Sequence, residues 1–139
     1  MADRVRKVSY CYLKVSNRVG QGDKVLAELT EAGVNLLAFS GFPIPGGKTQ
    51  LDFVAENLVA VRRVAKRNRW RLSKTKRAFL IQGADAAGAA HRHHQKLARE
   101  KINVTAADAV CAGKGRFGMV LWVKPKDYNR AAKALRAKS

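Results

Sequence analysis

The chain has 139 residues, which suits one domain or two small units sharing a core. Its hydrophobic content of 47% is too high for a disordered chain, and no apolar run reaches the roughly 18 to 20 residues that span a bilayer. Lysine and arginine number 28 against 10 acidic residues, a net charge of +18 that favours anionic partners and says nothing about the fold.

The start, "MADRVRKVSY", carries charges with no apolar stretch behind them, so no secretory leader is expected. Cys11 and Cys111 are too few for a disulfide scaffold and imply reduced thiols and a cytoplasmic location. The first predicted strand is "KVSYCYLKV", where Cys11, Leu13 and Val15 alternate with Tyr10, Tyr12 and Lys14, the pattern of one buried face. Gly20 and Gly22 follow, then a helix whose stripe is Val25, Leu26, Leu29 and Ala32. "GVNLLAFSGF" reads as a second strand, "PIPGGK" as a hairpin turn and "TQLDFVAE" as a third strand. A helix over about 57–69 comes next, and "WRLSK" reads as a fourth strand.

The same order then begins again. Displaced by 68 residues, Gly20 falls on Gly88, Leu29 on Leu97, Asn35 on Asn103, Ala38 on Ala106 and Gly47 on Gly115. Phe79, Ile81 and Gly83 take the places of Cys11, Leu13 and Val15. "INVTAADAVC", "AGKGR" and "FGMVLWVK" repeat the strand, turn and strand, and a helix over about 126–137 repeats the last helix. Each repeat reads β-α-β-β-α, with a closing strand only in the first, so the expected class is α+β with two ferredoxin-like units. Residues 1–74 form the first expected unit and 75–139 the second, together one compact module. The second lacks its last strand, so either it has an open edge or another segment or subunit covers that place, since an open edge invites pairing.

"SNRVGQGDKVLAELTEAGVNLLAF" resembles the first half of an ACT domain, and "GADAAGAAHRHHQKLAREKINVTAADAV" resembles it again. The likeness rests on Asn17-Arg18-Val19-Gly20 and Asp85-Ala86-Ala87-Gly88 before the first helix, and on the Asn of each second strand, in "VNLL" and "INV". Val19 stands where the family usually has proline. A tandem ACT protein is implied: no enzyme, no cofactor, a regulatory homodimer that binds a small ligand, an amino acid by family habit, at an interface between units or subunits. The resemblance assigns ligand contact to Asn17, Arg18, Val19, Gly20, Gln21 and Asn35, and to Asp85, Ala86, Ala87, Gly88 and Asn103. A glycine at the head of a helix admits close backbone approach, and the free amides there suit a carboxylate. The bland readings are a tight turn at each glycine and a positive φ at each asparagine.

Chemistry-bearing motifs are otherwise sparse. His91 and His94 share a helical face without a third ligand nearby in sequence, so no metal is expected; His93 and His94 align with core-facing Val25 and Leu26. "GGKT" at 46–49 ends like a phosphate-binding loop, but no helix follows it. No carboxylate pair suggests acid–base catalysis. The basic run does suggest binding. Arg62, Arg63, Lys66, Arg67, Arg69 and Arg71 surround Trp70, a nucleic-acid or acidic-protein surface as the alternative function, with assembly alone as a third. The aromatic signature of RNA-binding sheets is missing from both third strands.

Overall fold

A computed structural model describes residues 3–139. Six strands and four helices follow in the order β1 (Arg4–Ser16), α1 (Gln21–Glu31), β2 (Leu36–Ile44), β3 (Lys48–Ala55), α2 (Leu58–Asn68), β4 (Lys76–Ala84), α3 (Ala89–Arg99), β5 (Val104–Gly113), β6 (Arg116–Val123) and α4 (Tyr128–Leu135). The class is α+β with antiparallel strands, as the alternating and helical periods require. Two compact units result: Ser9–Lys76, and a second in which the residues up to Val8 join Arg77–Ser139. The sequence repeat alone would have left those first residues with the first unit.

In the Ser9–Lys76 unit the strand order is β2-β3-β1. Cys11 faces Phe53 and Leu13 faces Leu51 across the β1–β3 ladder. Val25 and Leu29 of α1 and Val61 and Val64 of α2 cover that face and form one core with it. The stripe read from the sequence is therefore the buried stripe. Burial exceeds the one-face reading, however: Tyr10, Asp52 and Val54, on the opposite face, are also buried. "WRLSK" is not a strand; residues 70–75 carry no regular structure. Ser73 N–H donates to the Tyr12 carbonyl at 2.9 Å, but the Tyr12 amide is taken by Ser73 Oγ at 2.9 Å. The side-chain oxygen thus replaces the ladder acceptor, and the regular strand begins only at Lys76.

In the other unit the order is the start of β1, then β4, β6 and β5. The position left open by the second repeat is filled by the chain's own N-terminal segment. Val5 joins the core of Phe79, Ile81, Leu97, Met119, Leu121 and Tyr128. Lys7 N–H donates to the Lys138 carbonyl at 2.7 Å, and Lys138 N–H to the Val5 carbonyl at 2.9 Å, a short parallel bridge centred on Arg6 and Lys138. The last helix is shorter than the pattern suggested, because Pro125 opens a 3-10 turn, Pro125–Asp127, ahead of α4.

Candidate functional site

The two glycine loops share one backbone design at the 68-residue offset. Gly20 and Gly88 are both left-handed, with φ of 86° and 83°. Asn17 N–H donates to the Gly47 carbonyl at 2.8 Å, and Asp85 N–H donates to the Gly115 carbonyl at 2.8 Å. Each loop is thereby tethered to the hairpin of its own unit. Lys24 N–H then donates to the Gly20 carbonyl, and Arg92 N–H to the Gly88 carbonyl, opening the two helices. A β-carbon at either glycine would meet nothing within 4 Å, so the requirement for glycine is conformational and not spatial.

Neither helix has a side-chain cap. Among the described residues the amides of Gly22 and Asp23 find no acceptor. Val19 is fully exposed at the tip, and Asn17, Arg18 and Gly20 are exposed beside it. Asn17 Oδ1 accepts from Thr49 Oγ1 at 3.1 Å, which orients its carboxamide, and Arg18 Nε donates to Ser16 Oγ at 3.2 Å. Asp23 puts a carboxylate in the first turn of α1. The second loop differs chemically: α3 has no acid in its first turn, and Asp85 Oδ1 accepts from Cys111 Sγ at 3.1 Å. That hydrogen bond, ahead of slight burial, raises the Cys111 thiol above its ordinary value.

The asparagines of the second strands are not where the loops are. Asn35 precedes β2, whose first residue Leu36 pairs with Ala55, whereas the Asn17 loop lies beside Gly47 and Lys48. The length of β3 separates them, roughly 23 Å at about 3.3 Å per residue. The same holds for Asn103 and the Asp85–Gly88 loop, because Val104 pairs with Val123 and Ala84 with Arg116. Within one unit, then, the two sets of predicted residues are not brought together. Nor do the asparagines take a positive φ; Gly33 and Lys101 do, again 68 apart. Asn35 and Asn103 are exposed.

Around the basic run, α2 and the segment after it enclose a shallow open groove of about 490 Å3, lined by Arg62, Ala65, Lys66, Trp70, Arg71 and Leu72. Trp70 is half-buried and packs against the unit's core, with Leu72 beside it. Arg62 donates to the Ser73 carbonyl at 3.2 Å and to Thr75 Oγ1 at 2.7 Å, so it ties the segment down. Arg63 and Arg67 of α2, and Arg69 just after it, are exposed. Arg77 belongs elsewhere: its guanidinium lies 4.0 Å from the Tyr128 ring centroid.

The histidines do not form a metal centre; among the described residues no group of three His, Cys, Asp or Glu side chains is placed to hold an ion. His94 Nδ1 lies 3.0 Å from the Ala90 carbonyl. His93 is buried and its Nε2–H donates to Asp3 Oδ2 at 2.7 Å, which also accepts from Arg92 at 2.7 Å. Burial alone would raise the Asp3 carboxyl; the hydrogen bonds from His93 and Arg92, with their charges, outweigh it and hold the group below its ordinary 3.8. Sequence reasoning missed this cluster, which joins residues some ninety positions apart. One signal was present: Gly83 stands where the repeat has Val15, and a β-carbon there would strike the Asp3 carboxylate.

No protein-family model matches the chain, and no curated protein matches it by sequence. Among solved structures it is similar to a protein of Bacteroides thetaiotaomicron, at 14% identity and a TM-score of 0.81, over 95% of this chain and 88% of that one. It is also similar to the regulatory subunit of aspartate kinase from Thermus thermophilus, in a ligand-free form (15% identity, TM-score 0.60, 97% and 93% of the chains). The corresponding subunit from Thermus flavus gives 18% identity and a TM-score of 0.56 over 97% and 94%. The chain therefore shares its α+β fold with these two regulatory subunits of aspartate kinase. No helix among the described residues is long and apolar enough to cross a membrane.

Proposed function

We propose that the chain is a regulatory protein without catalysis of its own, which binds an amino acid at the loop Asn17–Gln21 and passes the signal on through assembly or a partner. One observation carries this reading: an exposed, uncapped helix start, fixed by a left-handed glycine and a hairpin tether and repeated in both units. The likeness to regulatory subunits of aspartate kinase supports it.

The chemistry favours the first loop. A zwitterion needs a donor set for its carboxylate and an acceptor for its ammonium. The unpaired amides of Gly22 and Asp23, at the positive end of α1, supply the first. The Asp23 carboxylate, one turn inside, supplies the second. In the other loop Asp85 is engaged by Cys111, and α3 offers no acid. That loop keeps the backbone form and lacks the charge pair. Since Asn35 and Asn103 lie at the far ends of their units, they act, on this proposal, on a ligand held by a second copy of the chain. The exposed edge strands β2 and β5 are the surfaces through which two copies would meet.

Asn17→Ala and Asp23→Asn should each weaken amino-acid affinity about tenfold, the loss of one hydrogen bond to a charged group. Gly20→Val forces a β-branched residue into the left-handed region at roughly 1–2 kcal/mol or more and should abolish binding. Calorimetric titration of the three variants checks this; unchanged affinity in all three would show that the loop only turns the chain.

A further inference from the structure

We infer that the groove beside α2 is a second, independent site, and that it binds single-stranded nucleic acid, with Trp70 as a stacking platform and the surrounding cations on the phosphates. The groove is built from one unit alone: Arg62, Ala65 and Lys66 on α2, then Trp70, Arg71 and Leu72 on the segment that follows. Its indole is held. One side of Trp70 rests on the core, and its backbone amide donates to the Ala65 carbonyl at 2.8 Å. The left-handed turn at Arg69, φ 59°, fixes where the ring emerges. An aromatic surface fixed before binding, open to solvent on its remaining side, stacks on a base without the entropy cost of ordering.

The charge around it exceeds what the fold uses. From Asn57 to Ala84 the sequence holds no acidic residue, while nine lysines and arginines fall between 62 and 77. Three of them stand apart: Arg62 holds the Ser73–Thr75 segment, Lys76 opens β4, and Arg77 lies over Tyr128. Lys66 and Arg67 sit in the last turn of α2, where cations complement the helix dipole, but a dipole end amounts to about half a charge. Arg63, Lys66, Arg67, Arg69, Arg71 and Lys74 pair with no carboxylate among the described residues. Lys66 and Arg71 line the groove itself and the other four lie within seven residues of Trp70 in sequence, more charge than one free nucleotide would neutralise, which favours a strand of several phosphates. A groove that offers one part-exposed ring and no deep cleft suits bases presented singly, not a duplex whose bases are already stacked.

The test is a titration followed by tryptophan fluorescence. Trp122 is buried, so a change on binding reports chiefly on Trp70, and Trp70→Phe confirms the assignment. The probes are oligo-dT of about 12 nucleotides, the same length of duplex, free ADP, heparin and poly-glutamate. The expected result is quenching by oligo-dT, with a log–log salt slope near −3 for about four phosphates contacted. Lys66→Glu with Arg71→Glu, both exposed and outside the core, should weaken oligo-dT binding at least thirtyfold, flatten the slope by about 1.4, and leave the amino-acid response of the Asn17 loop unchanged. Trp70→Phe, followed by the anisotropy of a labelled oligo-dT, should keep much of the binding because a ring remains. Equal affinity for heparin or poly-glutamate would overturn the inference in favour of an unspecific polyanion or acidic-protein surface. Preference for duplex, saturation by ADP alone, or no binding at low salt would each overturn it as well.

Discussion

Tyr128→Ala is expected to lower the unfolding free energy by about 4 kcal/mol, the range for removing a buried aromatic ring. Tyr128 opens α4 and is 2% exposed. Its ring stacks on Phe79 with centroids 4.5 Å apart and planes 6° from parallel, and the Arg77 guanidinium lies over it. Its hydroxyl donates to the Ala78 carbonyl at 2.9 Å. The helix is only eight residues long and cannot persist without tertiary packing, so losing this anchor loosens the whole element. Tyr128→Phe keeps the ring and should cost only about 1 kcal/mol. Burial raises the phenol above its ordinary 10.0, with Arg77 opposing. The folded pKa is the higher one, so this contribution is complete below pH 10 and is lost as pH rises through the folded value. Urea denaturation of both variants, at neutral pH and at high pH, measures all of this.

Asp3→Ala should cost about 2–3 kcal/mol, because it leaves the buried His93 ring without its partner. Arg92 adds little to that figure, since half of its side chain is in water. Gly83→Ala should cost a comparable amount by another route, driving the carboxylate from its seat. Both changes act on the segment that completes the second repeat, so the segment before Val8 should lose amide-exchange protection before the rest of its unit. The acid dependence has a definite sign. The folded carboxyl titrates below 3.8, so its stabilisation is present above that pH and disappears as pH falls through the lower, folded value. Asp3→Asn removes this component. The gap between wild type and Asp3→Asn in urea should therefore be widest near neutrality and narrow below about pH 4.

The sequence carried the periodic features well, since each is enforced locally. Cys11, Leu13, Val25, Leu29, Leu51 and Phe53 form one core because strand and helix periods put them on facing surfaces. The repeat offset was also legible, and it extends to backbone detail: Gly33 and Lys101 share a left-handed turn although their side chains differ. What escaped was long-range. Nothing local says that the first residues leave the first repeat for the second, nor that Asp3 meets His93. "WRLSK" has strand-like spacing, yet Ser73 Oγ takes the Tyr12 amide that a ladder would use. The resemblance names both Asn35 and the Asn17 loop as ligand contacts at an interface; within one unit a strand running its length separates them. Trp70, which the sequence shows only as an aromatic among cations, packs on the core and also lines the groove.

A thermal-shift screen of the purified protein against the twenty amino acids, at two salt concentrations, decides whether the Asn17 loop senses a ligand or only turns the chain. A ligand at 100 times its Kd adds about 2.7 kcal/mol, a rise of about 5–10 °C for a chain of this size. One amino acid, or a small chemical group of them, should give such a rise with little dependence on salt, and Gly20→Val should erase it. No shift with any amino acid, or a shift that survives Gly20→Val, would contradict ligand sensing by this loop.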